Sequence, residues 1–121
     1  MCRIILMDKL FFLTLTHFVT DFILQGWGIG QNKRMFNKYM LLHVFITSLS
    51  FSTVLLFFET DYHKVIISFL IILVSHLTID VLRQEVIIKN KINTDRRMYW
   101  ILLGLDQILH VLFIYLSIKV F

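Results

Sequence analysis

The 121-residue sequence has no proline, no alanine, four glycines and one cysteine, Cys2. A single thiol cannot close an internal disulfide, so a disulfide scaffold is excluded. Charged residues are also scarce, at 17% against 58% hydrophobic, where a soluble domain has about 25% and 45–50%. The chain therefore has too little polar surface to cover a soluble globule, which argues against an ordinary soluble enzyme and a disordered tail. No low-complexity segment or linker is long enough to separate domains, so residues 1–121 read as one domain. What the chain has instead is an apolar excess that includes twelve phenylalanines, and this points to lipid as the solvent.

Four apolar segments stand out, at about 4–25, 39–58, 65–84 and 98–117, each close to the ~20 residues that cross a ~30 Å hydrocarbon core. Four strands cannot close a membrane barrel, and open sheet edges are not tolerated in lipid. The expectation is an all-α integral membrane four-helix bundle. The first segment contains Asp8, His17 and Asp21, with no small-residue cleavage site after it, and reads as a retained span rather than a signal peptide. Lys33, Arg34 and Lys38 lie in the first connection, and Lys89, Lys91, Arg96 and Arg97 in the third, with Arg83 just before it. The second connection carries Glu59, Asp61, His63 and Lys64. The positive-inside rule then places connections one and three in the cytoplasm and both termini outside an inner membrane. Trp27, Tyr39, Tyr99 and Trp100 fall at the predicted cytoplasmic interface, where amphipathic rings are favoured. The net charge of +4 thus reads as a topology signal, with no nucleic-acid partner implied. Gly26, Gly28 and Gly30 follow a helix rather than a strand and read as a flexible turn, not a dinucleotide fingerprint. Asn93, Thr94 and Asp95 are N-cap candidates for the fourth helix.

Ionisable residues inside a membrane are costly and are functional candidates by default. Seven metal-competent side chains lie deep in the spans: His17, Asp21, His43, His76, Asp80, Asp106 and His110. His17/Asp21, His76/Asp80 and Asp106/His110 are each four residues apart, which puts both members on one helix face. Polar stripes extend these pairs. They comprise Thr14, His17, Asp21 and Gln25; His43, Thr47 and Ser50; His76, Asp80 and Gln84; and Tyr99, Asp106, His110 and Ser117. At ~1.5 Å per residue, the seven lie about 6–16 Å inside the cytoplasmic ends of their spans. One cluster in the cytoplasmic half is the economical reading. Residues 16–25 and 75–84 both read H-x3-D-x3-Q, a weak repeat that suggests a pseudo-two-fold relation between two helix hairpins.

Imidazole and carboxylate together suit zinc first, with manganese or iron as alternatives. Seven candidates can serve one ion with supporting hydrogen bonders, or two ions. Asp106 and Asp80 are the candidate catalytic carboxylates, as ligand or general base. A site at this depth lies near lipid headgroups, which suggests a metal-dependent hydrolase acting on phospholipid or another phosphodiester. Membrane lipid is the expected partner, and a homo-oligomer is compatible with the pattern. Three other readings compete. An ion or metal transporter or pore-forming effector would use the same stripes as a path. A bis-His haem protein fits the four His but not the Asp beside them. In a structural membrane subunit the polar pairs would only join helices, a role the scarcity of small residues makes more useful.

His17-x3-Asp21-Phe22-x2-Gln25, with Trp27 and Lys33 after it, resembles the opening signature of the domain-of-unknown-function 3307 family of small bacterial and phage membrane proteins. Leu42-His43 resembles that family's second-helix histidine. His76-x2-Ile79-Asp80 and Asp106-Gln107-x2-His110 resemble its third- and fourth-helix signatures. The resemblance covers nearly the whole chain. Thr47 departs from it where many members carry a further histidine, so no ligand role is assigned there. The family carries no established activity. Its pattern is similar to that of membrane-bound metal-dependent hydrolases of the zinc phospholipase C type, an analogy at the level of the site.

Overall fold

The computed structural model describes residues 2–26 and 38–119, and within the first helix it does not cover the side chains of residues 2–5 and 24–26. Trp27, Gly28, Gly30, Lys33 and Arg34, and the side chains of Cys2 and Gln25, therefore lie outside the described residues. The described chain is all-helical: α1 Cys2–Gly26, α2 Lys38–Leu55, α3 Tyr62–Lys89 and α4 Arg97–Lys119. Each helix packs on its neighbours in sequence, and α4 closes the ring on α1. Among the described residues the backbones of α1 and α3, and those of α2 and α4, do not come close, although α1 and α3 side chains meet at the centre. The expected four-helix bundle is thus present, with the two helices of the H-x3-D repeat diagonally opposed. α2, α3 and α4 are long and apolar enough to cross a membrane. α1 has 25 residues and turns an equivalent row outward, with Phe11, Leu15, Val19 and Phe22 all exposed.

The connections follow from local chemistry. Asp61 caps α3 by accepting from the His63 backbone N–H at 3.0 Å. This satisfies one of the donors that a helix start leaves without a partner. His63 itself is exposed. α3 ends in a Schellman turn: Ile92 N–H reaches Ile87 C=O at 3.0 Å and Lys91 N–H reaches Ile88 C=O at 3.3 Å. Lys91 stands at the left-handed position of that turn, φ 49°, where glycine is the usual occupant. α4 begins at Arg97 rather than directly after the Asn93–Asp95 group. Thr94 instead gives its carbonyl to the Trp100 indole N–H at 2.9 Å.

The interior differs from that of a soluble bundle. Among the described residues ten hydrophobic and fourteen polar side chains are buried, while the exposed faces are apolar. That inversion is what lipid requires, since broad apolar faces lose nothing by exposure to it. Most of the hydroxyls are satisfied inside their own helices. Ser48, Ser52, Thr53, Thr78 and Ser117 each donate to a carbonyl three or four residues back at 2.8–3.0 Å. The buried apolar residues form two groups. Leu13, Phe51, Leu55, Val65, Ile72 and Ile114 fill the end where α1 and α3 start, and Met40, Val44 and Val81 pack nearer the other end. The ionisable residues follow the first group and are interleaved with the second, Val44 next to His43 and Val81 next to Asp80.

Candidate metal centre

All seven ionisable residues singled out by the sequence converge on one buried cluster, and none is more than 3% exposed. The helices place them by register. α1 presents His17 and Asp21 one turn apart, α3 presents His76 and Asp80, α4 presents Asp106 and His110, and α2 contributes His43. His110 lies farther from the start of its helix than His43 does from its own. The reason is that α3 runs past the level of the cluster to Lys89 and α4 returns from Arg97. Their unequal depths counted along the sequence therefore become one level in space.

Two carboxylates sit at the centre of the cluster. Asp21 Oδ1 is 2.9 Å from His43 Nε2 and 3.9 Å from His76 Nε2, while its Oδ2 is 3.8 Å from His17 Nε2. Asp80 Oδ2 is 3.3 Å from His43 Nε2 and 3.6 Å from His76 Nδ1. Asp80 Oδ1 accepts a hydrogen bond from His110 Nε2 at 3.1 Å. Each carboxylate therefore turns one oxygen to the His43/His76 side and the other to the His17/His110 side. Asp106 joins the second side, its Oδ2 3.6 Å from His110 Nε2. The rings are close: His76 and His110 stack at 4.1 Å between centroids, and His17 meets His110 edge-on at 4.7 Å.

Two further residues complete the arrangement. The Gln107 amide nitrogen donates to Asp21 Oδ2 at 2.9 Å and to Asp106 Oδ2 at 3.0 Å, and its oxygen accepts from His17 Nε2 at 3.3 Å. In the sequence Gln107 stands out only as part of the fourth-helix signature Asp106-Gln107-x2-His110. Arg83 is buried, with Nε 3.4 Å from Asp106 Oδ1, and had been read as part of a topology signal. The signal that would have found it is its spacing. It follows Asp80 by three residues, which is the same face of α3. The third-helix stripe accordingly continues to Arg83, while Gln84 is half-buried. Ser50 is also half-buried, and on α2 it is Ser48 and Ser52 that turn inward. Thr47 is fully buried beside the cluster, and its hydroxyl makes no hydrogen bond.

The donor set fits a divalent cation on two grounds. First, three groups, namely His17/His76/His110, Asp21/His43/His76 and Asp21/Asp106/His110, each bring one ligand atom per residue within 4.8 Å of the others. Neither ring nitrogen of His76 makes a hydrogen bond, although a buried polar atom left so is costly. Second, the site buries three carboxylates, Asp21, Asp80 and Asp106, and one guanidinium, Arg83. Buried charge is tolerated only when balanced, and the deficit, three negative against one positive, equals one divalent ion.

Comparison with protein families gives a match over residues 9–121 to the family described as "Protein of unknown function (DUF3307)". The chain belongs to that family, and the matched stretch contains every residue of the cluster. No curated protein and no solved structure matches.

Proposed function

We propose that this DUF3307 protein is a membrane-embedded, metal-dependent hydrolase acting on a phosphodiester, with its site in the cytoplasmic half of the bundle and both termini outside. The observation that carries the reading is the pair of central carboxylates, Asp21 and Asp80, each shared between two sets of imidazoles. Such sharing suits two ions. His43 and His76 with Asp21 Oδ1 and Asp80 Oδ2 would hold one. His17 and His110 with the other oxygens of Asp21 and Asp80 would hold the second. Zinc is the first choice for this mixed set, and manganese or iron also suit it. Bound divalent ions would supply Lewis acidity towards a phosphoryl oxygen and towards water at neutral pH.

The chain's own residues then divide the remaining work. Asp80 faces three imidazoles, the setting of a ligand. Asp106 lies at the edge of the cluster, oriented by Gln107 on one oxygen and by Arg83 on the other, which is how a general base is held in position. Two divalent ions and Arg83 would exceed the three carboxylates by two charges, and an anionic substrate would offset one of them. Such a substrate is a phosphodiester at headgroup depth. Towards the other end the interior holds Leu13, Phe51, Leu55, Val65, Ile72 and Ile114 with the hydroxyls of Ser48, Ser52, Ser68 and Ser117, and among the described residues no buried ionisable side chain, which weighs against a continuous ion path. Hydrolysis of phospholipid by the protein in nanodiscs tests the reading. Turnover that disappears with a chelator, returns with zinc or manganese, and falls about 10²–10⁴-fold in Asp106→Asn is the expected result. Metal-independent or absent turnover across neutral and anionic phospholipids would count against it.

A further inference from the structure

Two apolar grooves run along the lipid-facing seam between α3 and α4. One, about 190 Å³, is lined by Ile79, Leu82, Val86, Leu102 and Leu109, and has Arg83 and Asp106 in its wall. The other, about 480 Å³, runs from Leu70 and Val74 to Ile79 and Phe113. They share Ile79, so the two grooves make one track. From Val86 to Leu70 it spans sixteen helical rises, about 24 Å at 1.5 Å per residue, longer than the ~15 Å that one leaflet contributes to a ~30 Å core. Ser75 and Thr78 also line it, with their hydroxyls turned to carbonyls of their own helix; otherwise the track is apolar except at the end near the basic third connection, where a guanidinium and a carboxylate of the cluster come to its wall.

Arg83 is the unusual element. It is 8% exposed, and its Nε makes no hydrogen bond although Asp106 Oδ1 is 3.4 Å away. Holding a buried arginine against lipid for one rim carboxylate is expensive. Arginine is also the side chain best matched to phosphate oxygens, through paired N–H donors.

We propose that this seam is the lateral entrance for a diacyl phospholipid of the adjacent leaflet, with Arg83 holding its phosphate beside Asp106 and its acyl chains lying along Ile79, Val74 and Phe113. The proposal deepens the hydrolase reading and rests on it for the identity of the reacting site. It names a substrate that arrives sideways from the bilayer rather than from the aqueous phase. Arg83 is a binding residue for the phosphate, and Leu102 and Leu109 set the width of the entrance.

The test uses full-length protein in detergent micelles, exposed separately to phosphatidylglycerol, to diacylglycerol with the same chains, and to glycerol phosphate. Lipid retention is read by native mass spectrometry and metal content on the same samples. The expected result is one phosphatidylglycerol per chain, retained about tenfold or more over diacylglycerol, the scale of one charge-assisted contact. Glycerol phosphate should compete poorly. Arg83→Gln should abolish the preference, Arg83→Lys should keep part of it, and Leu102→Trp should block retention while leaving Arg83 and metal content in place. Equal retention of both lipids, an unchanged preference in Arg83→Gln, or unchanged retention in Leu102→Trp would mean an annular lipid only and would overturn the proposal. Efficient competition by glycerol phosphate would overturn the lipid source. Metal without lipid selectivity sinks this inference and leaves the hydrolase reading standing, whereas lipid selectivity without metal sinks the hydrolase reading.

Discussion

The two halves of the bundle are built on the same four helices and bury opposite chemistry. Towards the end where α1 and α3 begin, the interior is Leu13, Phe51, Leu55, Val65, Ile72 and Ile114. One or two turns further along the same helices it is His17, His43, His76 and His110 with Asp21, Asp80 and Asp106. The first half also buries the hydroxyls of Ser48, Ser52, Ser68 and Ser117 but no charge, and association there rests mainly on packing, because lipid is as apolar as leucine. The second half buries three carboxylates and four imidazoles where a hydrophobic interior would have been cheaper. One half thus joins the helices largely by shape, while the other also joins them through contacts such as Asp21–His43 and Asp80–His110, at the cost of burying charge.

That contrast can be broken from either side. The largest effect is expected in the polar half. Asp21→Asn leaves the shape of the side chain but removes a charge shared by both sides of the cluster. It should lower retained metal by at least an order of magnitude, read by elemental analysis, with the helical circular dichroism unchanged. Gln107→Leu should be milder. It removes the amide that orients Asp21, Asp106 and His17 without removing a ligand, and a 10–100-fold loss of metal affinity is the expected scale. In the apolar half, Phe51→Ala should leave metal per folded chain unchanged. It should destabilise the bundle by about 3 kcal/mol, the lower part of the range for such a truncation, because lipid removes much of the transfer term. The smallest effect belongs to neither half. Lys91→Gly relieves a left-handed residue at the end of α3 and should raise thermal stability by about 1 kcal/mol.

The same division explains what could be read from the sequence. Four helices and their inward faces were legible because His17/Asp21, His76/Asp80 and Asp106/His110 repeat at four residues in otherwise apolar runs, a pattern that lipid permits only facing inward. Arg83 was not legible. A basic residue near a span end ordinarily marks topology, and only the extension of α3 to Lys89 shows that it lies more than a turn inside the helix. Gln107 was seen, but its role was not. It neighbours Asp106 in sequence, so helical rotation alone would aim it about 100° away, and only packing against α1 brings its amide to Asp21. The buried apolar group was equally hidden, since Leu13 and Phe51 are indistinguishable by composition from the lipid-facing Phe11 and Leu49.

Under the proposed function the buried carboxylates and imidazoles hold metal. Elemental analysis of the detergent-purified protein, alongside His76→Ala, addresses it most directly. The expected finding is two zinc, manganese or iron ions per chain, falling to one or none in His76→Ala while the helical content is kept. A folded wild-type protein expressed with metal available that carries no transition metal, or a His76→Ala protein that keeps its full complement, would contradict it.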